Sequence, residues 1–517
     1  MSFERDSTFC VPLWINGATI CPEDSPRYDV TTPPSQSLAW SACAATPPTI
    51  ENAISSASRA FLRWSRTSPA ERIEVFSKAA KILESEPSES SYYMAKEIGT
   101  GPGWSTFNQS FCVKALETIG DALKEALHTE ELDGQDEIKA SVQRAPYGVV
   151  VSIAPWNAPL ILGLRAILAP IAAGNTVVML AAPLSPMSHH FLALLLHSAG
   201  LPAGVLNVLP APPSPEKAAE AVETLLKHNS VRHLNFTGST AVGRKINEVA
   251  GRYGKPVTME LGGKCVALAL QDADMETLAR ELVVGAYLNS GQICMSTELA
   301  IIPKSLVTPL IQQIVANIPQ IFPELTFPLV TCASKTKNLN LINDAIQKGA
   351  ILYSSDGEQA SDTLLQSLTT DTSSSMPPLF LTKVTKDMEI YHTETFAPIF
   401  CIVEYDGENV QEAVDLTNNL EFGLSVSIFS QDEEESTILA QYIDAAAIHF
   451  NHMTVYDNPL FPHGGAKGSG YGRFGGKWGI EEFTYIKTLT YKKTIPKTES
   501  ANKGYRGWKI LEDFANE

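Results

Sequence analysis

Apolar residues recur at three- and four-residue spacing from Thr49 onward. IENAISSASRAFLRWS (50–65) and PAERIEVFSKAAKILESE (69–86) both carry this period, which predicts two amphipathic helices. Ser68 can cap the second, with Pro69 at its first position and Glu71 three residues after the cap. The pattern then changes. YGVVVSIAP is a continuous β-branched run, as expected of a strand buried on both faces; NTVVML and GVLNVLP repeat that signature, and VRHLNFTG reads as another such strand. Helical segments lie between them, and AVGRKINEVA follows the last. Strand and helix in alternation predict a parallel, doubly wound sheet. A second unit of similar character begins after Lys264, with DMETLARELVVGAYL as a helix and ELAIIP as a strand. Residues 1–48 read as loop-rich with short strand-like pieces, and 354–376 as a polar surface loop around one short helix. EEFTYIKTLTYKKT alternates like an exposed strand.

Between Arg144 and His189 the only charged residue is Arg165. Pro146, Pro155, Pro159, Pro170 and Pro183 interrupt this stretch, so it reads as α/β core rather than membrane span. The adjacent His189-His190 reads as a solvated loop pair. Across the 517 residues, 39 Lys+Arg stand against 57 Asp+Glu, a net charge of −18. That balance argues against general nucleic-acid binding. Eight cysteines without a CxxC pair indicate free thiols in a reducing compartment. The N-terminus has no apolar signal-peptide core, and a cytoplasmic location is expected. No HExxH or Cys/His ligand spacing occurs, so no metal site is expected.

Four islands carry chemistry: APWNAP (154–159), FTGSTAVG (236–243), VTMELGGK (257–264) and NSGQICMST (289–297). Cys294 is the candidate nucleophile, since a thiolate on an accessible turn attacks carbonyl carbon well. A buried structural thiol is the plain alternative. Cys265 opens an apolar run, and packing accounts for it. Glu260, at the end of an apolar strand, is expected to have a raised pKa and to serve as a general base, the plain alternative being a solvated or paired strand-end Glu. Asn157, in a Pro-Trp-Asn turn, can donate to an oxyanion together with the Cys294 backbone N–H. Gly238, Ser239 and Gly243 stand at a strand-to-helix junction suited to pyrophosphate, although close helix–strand packing asks for the same residues.

In order and spacing these islands resemble the aldehyde dehydrogenase superfamily. WING (14–17), AGLPAGVLNV (199–208), ETFAP (394–398), NNLEFGLS (418–425) and TVYDNPLFPHGGAKGSGYGRFGG (454–476) extend the likeness along nearly the whole chain. The resemblance implies NAD or NADP as cofactor, with NAD favoured. It places Trp156, Gly238, Ser239, Gly243, Leu261, Glu394 and Phe396 around that cofactor. It implies a Cys294 thiohemiacetal and thioester, the latter hydrolysed by water that Glu260 activates. The motifs are similar to the salicylaldehyde and vanillin dehydrogenase branch, which implies an aromatic or hydroxylated aldehyde. By that likeness Ala158, Leu162, Arg165, Ile293, Met295 and His463 line the aldehyde tunnel, and Arg165 is expected to meet a substrate hydroxyl or carboxylate, the plain alternative being that it pairs with a protein carboxylate. His463 stands where PFGG-type members carry Phe.

The likeness has gaps. Leu180 and Pro183 replace a Lys and a Glu that hold the adenosine ribose in many members, which implies weakened or altered cofactor binding. A cofactor-independent thioesterase or esterase, or a catalytically idle scaffold, therefore remains an alternative. The fold implied is a Rossmann-type dinucleotide domain (1–127 and 147–262), an α/β catalytic domain (263–477), a small β bridging element that oligomerises (128–146 and 478–497) and a tail (498–517). A homodimer or homotetramer is expected, with a small aldehyde as the other partner and neither nucleic acid nor membrane.

Overall fold

The computed structural model describes residues 8–134, 138–360 and 362–492. The expected tail, the end of the bridging element and residues 1–7 lie outside the described residues.

The apolar runs form the centre of an eight-stranded sheet. Its order is Gly470–Tyr471, Val257–Glu260, Val231–Thr237, Val149–Ile153, Thr176–Ala181, Leu206–Pro210, Leu13–Ile15, Ala18–Ile20. The five strands from Val257–Glu260 to Leu206–Pro210 are parallel, and the flanking ones antiparallel. Alternate residues feed two different cores, which is why apolar residues occupy both alternating sets of positions. Val150, Val177, Met179 and Val208 face the helices Pro102–Ala126, Pro159–Ala172 and Pro186–Ser198. Val149, Val151, Val178, Leu180 and Leu209 face Pro47–Trp64 and Pro215–Lys227.

A second sheet of seven strands runs Ile351–Tyr353, Leu379–Thr382, Ile399–Tyr405, Thr297–Pro303, Cys265–Ala269, Ser425–Phe429, Ala447–Phe450. All its pairings are parallel except the first. It too is covered on both faces. The strand Gly470–Tyr471, inside the stretch expected to be catalytic domain, returns to the first sheet beside Glu260. A separate antiparallel sheet joins Thr484–Lys492, Ile138–Pro146 and Glu130–Asp133.

Local signals hold where chemistry is local. Ser68 Oγ accepts from Glu71 N, and Glu71 Oε2 accepts from Ser68 N at 2.6 Å, closing a capping box at the start of Pro69–Ser85. Pro47-Pro48 opens the first helix instead of ending a loop, because proline suits the first turn, whose N–H groups have no helical partner. The N-terminal stretch is richer in strand than its composition suggests: Cys10–Val11, Arg27–Thr32 and Ser37–Cys43 form a small sheet of their own. His189 and His190 are not solvated. Both are buried on Pro186–Ser198, where His189 Nδ1 accepts from Ala182 N at 3.2 Å and burial pushes its pKa down to about 3. The uncharged run hides them because a neutral imidazole packs like an apolar ring. No helix among the described residues is long and apolar enough to cross a membrane.

Candidate active site

Three adjacent parallel strands of the first sheet deliver residues at their carboxyl ends, where open α/β sheets bind ligands. Val149–Ile153 leads to Trp156 and Asn157, Val231–Thr237 leads to Gly238 and Ser239, and Val257–Glu260 ends on Glu260 itself. Cys294 arrives from the other sheet, in the turn before Thr297–Pro303. These pieces meet around a cavity of about 230 Å³ lined by Asn157, Glu260 and Cys294, and by Trp156, Leu162, Gly238, Ser239, Leu261, Glu394 and Phe396.

The turn carrying Cys294 is forced. Asn289, Ser290 and Gly291 have φ of 48°, 58° and 67°, all left-handed. A Cβ on Gly291 would stand 2.1 Å from the Ala397 carbonyl oxygen, so only glycine fits there. Two asparagines brace the opposite wall. Asn157 Nδ2 donates to the Gln292 carbonyl at 2.9 Å, and Asn289 Nδ2 donates to the Asn157 carbonyl at 3.1 Å. Trp104 Nε1 donates to that same carbonyl at 3.2 Å. An amide nitrogen carries two hydrogens, so Asn157 keeps one beyond the bond to Gln292.

Cys294 Sγ donates toward Glu260 Oε1 at 3.8 Å. Burial, together with the nearby Glu260 charge, pushes the Cys294 thiol well up. Glu260 departs from expectation. Burial does act to raise its pKa, but His463 and Arg165 outweigh it and hold the carboxyl down at about 2. His463 Nε2 donates to Oε1 at 3.0 Å, Arg165 Nη1 lies 3.5 Å from Oε2, and Thr237 Oγ1 donates to Oε2 at 3.5 Å. The cations come from positions 95 residues before and 203 residues after Glu260, so the apolar strand alone gives the wrong sign.

Arg165 takes the plainer of its two expected roles. It is buried and held by two protein carboxylates, since Nη2 also bonds Asp457 Oδ2, and its guanidinium lies over the Phe111 ring at 5.7 Å. Burial works against its charge, yet Asp457 and Glu260 raise its pKa overall. With two carboxylates on it, the guanidinium does not wait for a substrate anion. Arg165, Asp457 and His463 border a smaller cavity of about 50 Å³. Ala158, Ile293 and Met295 are buried in the apolar cluster that contains Leu162 and Phe474, behind the cavity wall. Gly243 also packs: a Cβ there would stand 2.4 Å from Leu261 Cδ2.

Sequence reasoning missed Asp457, Lys264 and Glu298. Lys264 Nζ and Glu298 form a fully buried ion pair at 2.6 Å, and Lys264 also donates to the Thr393 carbonyl at 2.9 Å. Glu298 Oε1 accepts from the backbone of Thr395 at 2.9 Å and of Phe396 at 3.0 Å. The pair thereby fixes Phe396, with φ of 53°, edge-on to Trp156 at 5.8 Å. Glu394 Oε1 accepts from Gly263 N at 3.1 Å, and burial raises its pKa. The one signal for Asp457 was a lone acid in an aromatic loop, matching the lone Arg165.

A sequence model of the aldehyde dehydrogenase family matches residues 20–489. The chain belongs to the aldehyde dehydrogenase family. It is an oxidoreductase acting on aldehydes. It is 37% identical over 494 residues to a vanillin dehydrogenase of Pseudomonas fluorescens, covering 93% of this chain and 97% of that protein. The crystal structure of a salicylaldehyde dehydrogenase from Pseudomonas putida G7 complexed with salicylaldehyde superposes with a TM-score of 0.86 at 31% identity, covering 95% and 99%. An NADP-dependent glyceraldehyde-3-phosphate dehydrogenase from Bacillus halodurans C-125, complexed with NADP, superposes with a TM-score of 0.85 at 26% identity, covering 94% and 100%. This aldehyde dehydrogenase thus keeps the fold of its relatives over nearly its full length.

Proposed function

We propose that this aldehyde dehydrogenase oxidises an aromatic aldehyde bearing a hydroxyl or methoxyl group to the carboxylic acid, with Cys294 as nucleophile. The observation that carries the reading is the Cys294–Glu260 contact at 3.8 Å inside a cavity that Asn157 closes on one side. Substrate class rests on the likeness to vanillin and salicylaldehyde dehydrogenases.

A nicotinamide dinucleotide fits the residues present. Thr240 Oγ1, at the first residue of Thr240–Arg252, is buried without a protein partner, and Ser239 caps that helix. Gly238, Ser239, Leu261, Trp156, Glu394 and Phe396 would hold the group, with Gly243 keeping the helix close to the sheet. When bound, it accepts the hydride that the aldehyde carbon gives up. NAD is favoured over NADP.

The chain's own residues do the rest. Cys294 Sγ adds to the aldehyde carbon, and its proton passes toward Glu260 Oε1. The free hydrogen on Asn157 Nδ2 and the Cys294 backbone N–H receive the oxyanion. After oxidation the Cys294 thioester is hydrolysed by water held at Glu260. In the resting arrangement His463 and Arg165 depress the basicity of Glu260. His463, bonded to Glu260 Oε1 at 3.0 Å, is a positioning residue for the base.

The exposed strand Thr484–Lys492 is proposed to pair between subunits of a homo-oligomer, and eight free thiols suit a cytoplasmic location. The test is aldehyde-dependent reduction of NAD and NADP, followed optically, with vanillin, salicylaldehyde and benzaldehyde. Turnover that Cys294→Ala abolishes supports the reading. Ester hydrolysis undiminished without cofactor, with no aldehyde-dependent signal, would replace it by the esterase reading.

A further inference from the structure

Cys10, Cys21 and Cys43 take no part in the site above, yet they converge. Cys21 Sγ lies 2.6 Å from Cys43 Sγ, Cys10 Sγ lies 3.6 Å from Cys43 Sγ, and all three sulfurs fall within 4.8 Å of one another. They come from separate segments: the strand Cys10–Val11, the turn after Ala18–Ile20 and the last residue of Ser37–Cys43. All are free thiols. Cys43 is buried, whereas Cys21 is exposed, with Arg27 Nη2 3.8 Å from its sulfur. An exposed thiol is the one that a hydroperoxide in solution reaches first.

The ladder decides which pair can bond. Cys10 stands opposite Ser41 in a parallel pairing, so Cys43 is two residues further along the neighbouring strand. One strand spacing across and two residues along separate their Cα atoms by about 8 Å. A disulfide rarely spans more than ~7 Å without moving backbone. Cys21 sits on a turn, outside that register, and already touches Cys43.

We propose that Cys21 and Cys43 are a reversible disulfide site that a hydroperoxide oxidises, with Cys10 left as a free thiol beside it. The Cys21 thiolate attacks the peroxide oxygen and becomes a sulfenic acid. The O–O bond breaks, and the departing oxygen leaves as water or an alcohol after taking a proton. Cys43 sulfur then attacks Cys21 sulfur. The S–S bond forms, the S–O bond breaks, and hydroxyl leaves as water with the Cys43 proton. Two electrons pass from the thiols to the peroxide, and a small-molecule thiol reverses the change. The bond would staple the edge hairpin of the first sheet to the strand that feeds the helix Pro47–Trp64. Closing a loop of roughly 20 residues should raise the unfolding midpoint by a few degrees.

The test is mass spectrometry of the full-length protein after mild hydrogen peroxide and alkylation of remaining thiols. Trypsin with chymotrypsin cuts after Arg27 and Trp14, placing each cysteine on its own peptide. The expected product is a Cys21–Cys43 link that dithiothreitol removes. It persists in Cys10→Ser and is lost in Cys21→Ser, an exposed change that leaves the fold intact. A Cys10–Cys43 link, or Cys21 oxidised without a link, would overturn the proposal. So would a soft metal ion copurifying in one equivalent and shielding all three thiols from alkylation.

Discussion

Arg165→Leu tests whether this guanidinium serves the protein's own carboxylates or the substrate. Its side chain is 8% exposed, against 1% for Glu260 and 10% for Asp457. Water therefore does little to screen the group. At an effective dielectric of about 20, opposite charges 3.5 Å apart attract by about 5 kcal/mol. Removing one member of a buried pair typically costs ~3–5 kcal/mol, because the other charge stays buried. For a chain of 517 residues that lowers the unfolding midpoint by about 3–5 °C. Glu260 also loses a cation that holds its carboxyl down, so its pKa rises. The assay is paired: a thermal melt, and kcat/KM for salicylaldehyde and benzaldehyde. The midpoint should fall, and both substrates should lose by the same factor. Arg165→Leu/Asp457→Leu should recover part of the midpoint. An unchanged midpoint with loss confined to the hydroxylated aldehyde would refute the reasoning and return Arg165 to substrate recognition.

Other perturbations follow from the same geometry. In His463→Phe, Glu260 loses a partner that favours the carboxylate, so the acid limb of kcat/KM against pH should move up by about one unit or more. The same depressed pKa contributes stability that is complete above the unfolded value of about 4.3 and is lost as pH falls toward about 2. Acid unfolding of the variant should accordingly begin at higher pH. Leu180 is buried in the first sheet and offers the ribose no hydrogen bond. Leu180→Lys/Pro183→Glu should tighten NAD binding about thirtyfold or more by calorimetry, at ~1–3 kcal/mol for each of two charged hydrogen bonds, and equal affinities would dismiss the weakening. Lys264→Met leaves Glu298 buried without its cation, so the melt should fall by a few degrees and cofactor affinity should drop as Phe396 loosens. Ile486→Asp, on the exposed strand, should lower the mass seen by light scattering if subunits pair there.

The sequence carried the layers of the fold because a strand buried on both faces must be largely apolar, and 149–153, 176–181 and 206–210 are, with Ser152, Thr176 and Asn207 as their lone polar positions. It singled out Cys294, Glu260 and Asn157, which the structure brings to one cavity, because each stands beside turn or glycine residues in the islands 154–159, 257–264 and 289–297. It misjudged what depends on partners far along the chain. The Glu260 carboxyl looked raised, since Leu261 and the strand are visible locally and Arg165 and His463 are not. His189 looked solvated, since a neutral imidazole gives no periodic sign of burial. Lys264 and Glu298, 34 residues apart, look like two ordinary surface charges until the sheet sets them face to face.

The left-handed run ahead of Cys294 sets durability against speed. Asn289 and Ser290 adopt a conformation that costs an L-residue roughly 1–2 kcal/mol each. Glycine would adopt it freely, so Ser290→Gly belongs among the first gains in any search for heat-tolerant variants. That gain loosens the turn that aims the nucleophile. Breeding for robustness at these two positions would thus select for slower enzymes, and the hardiest variants should be sought elsewhere in the chain.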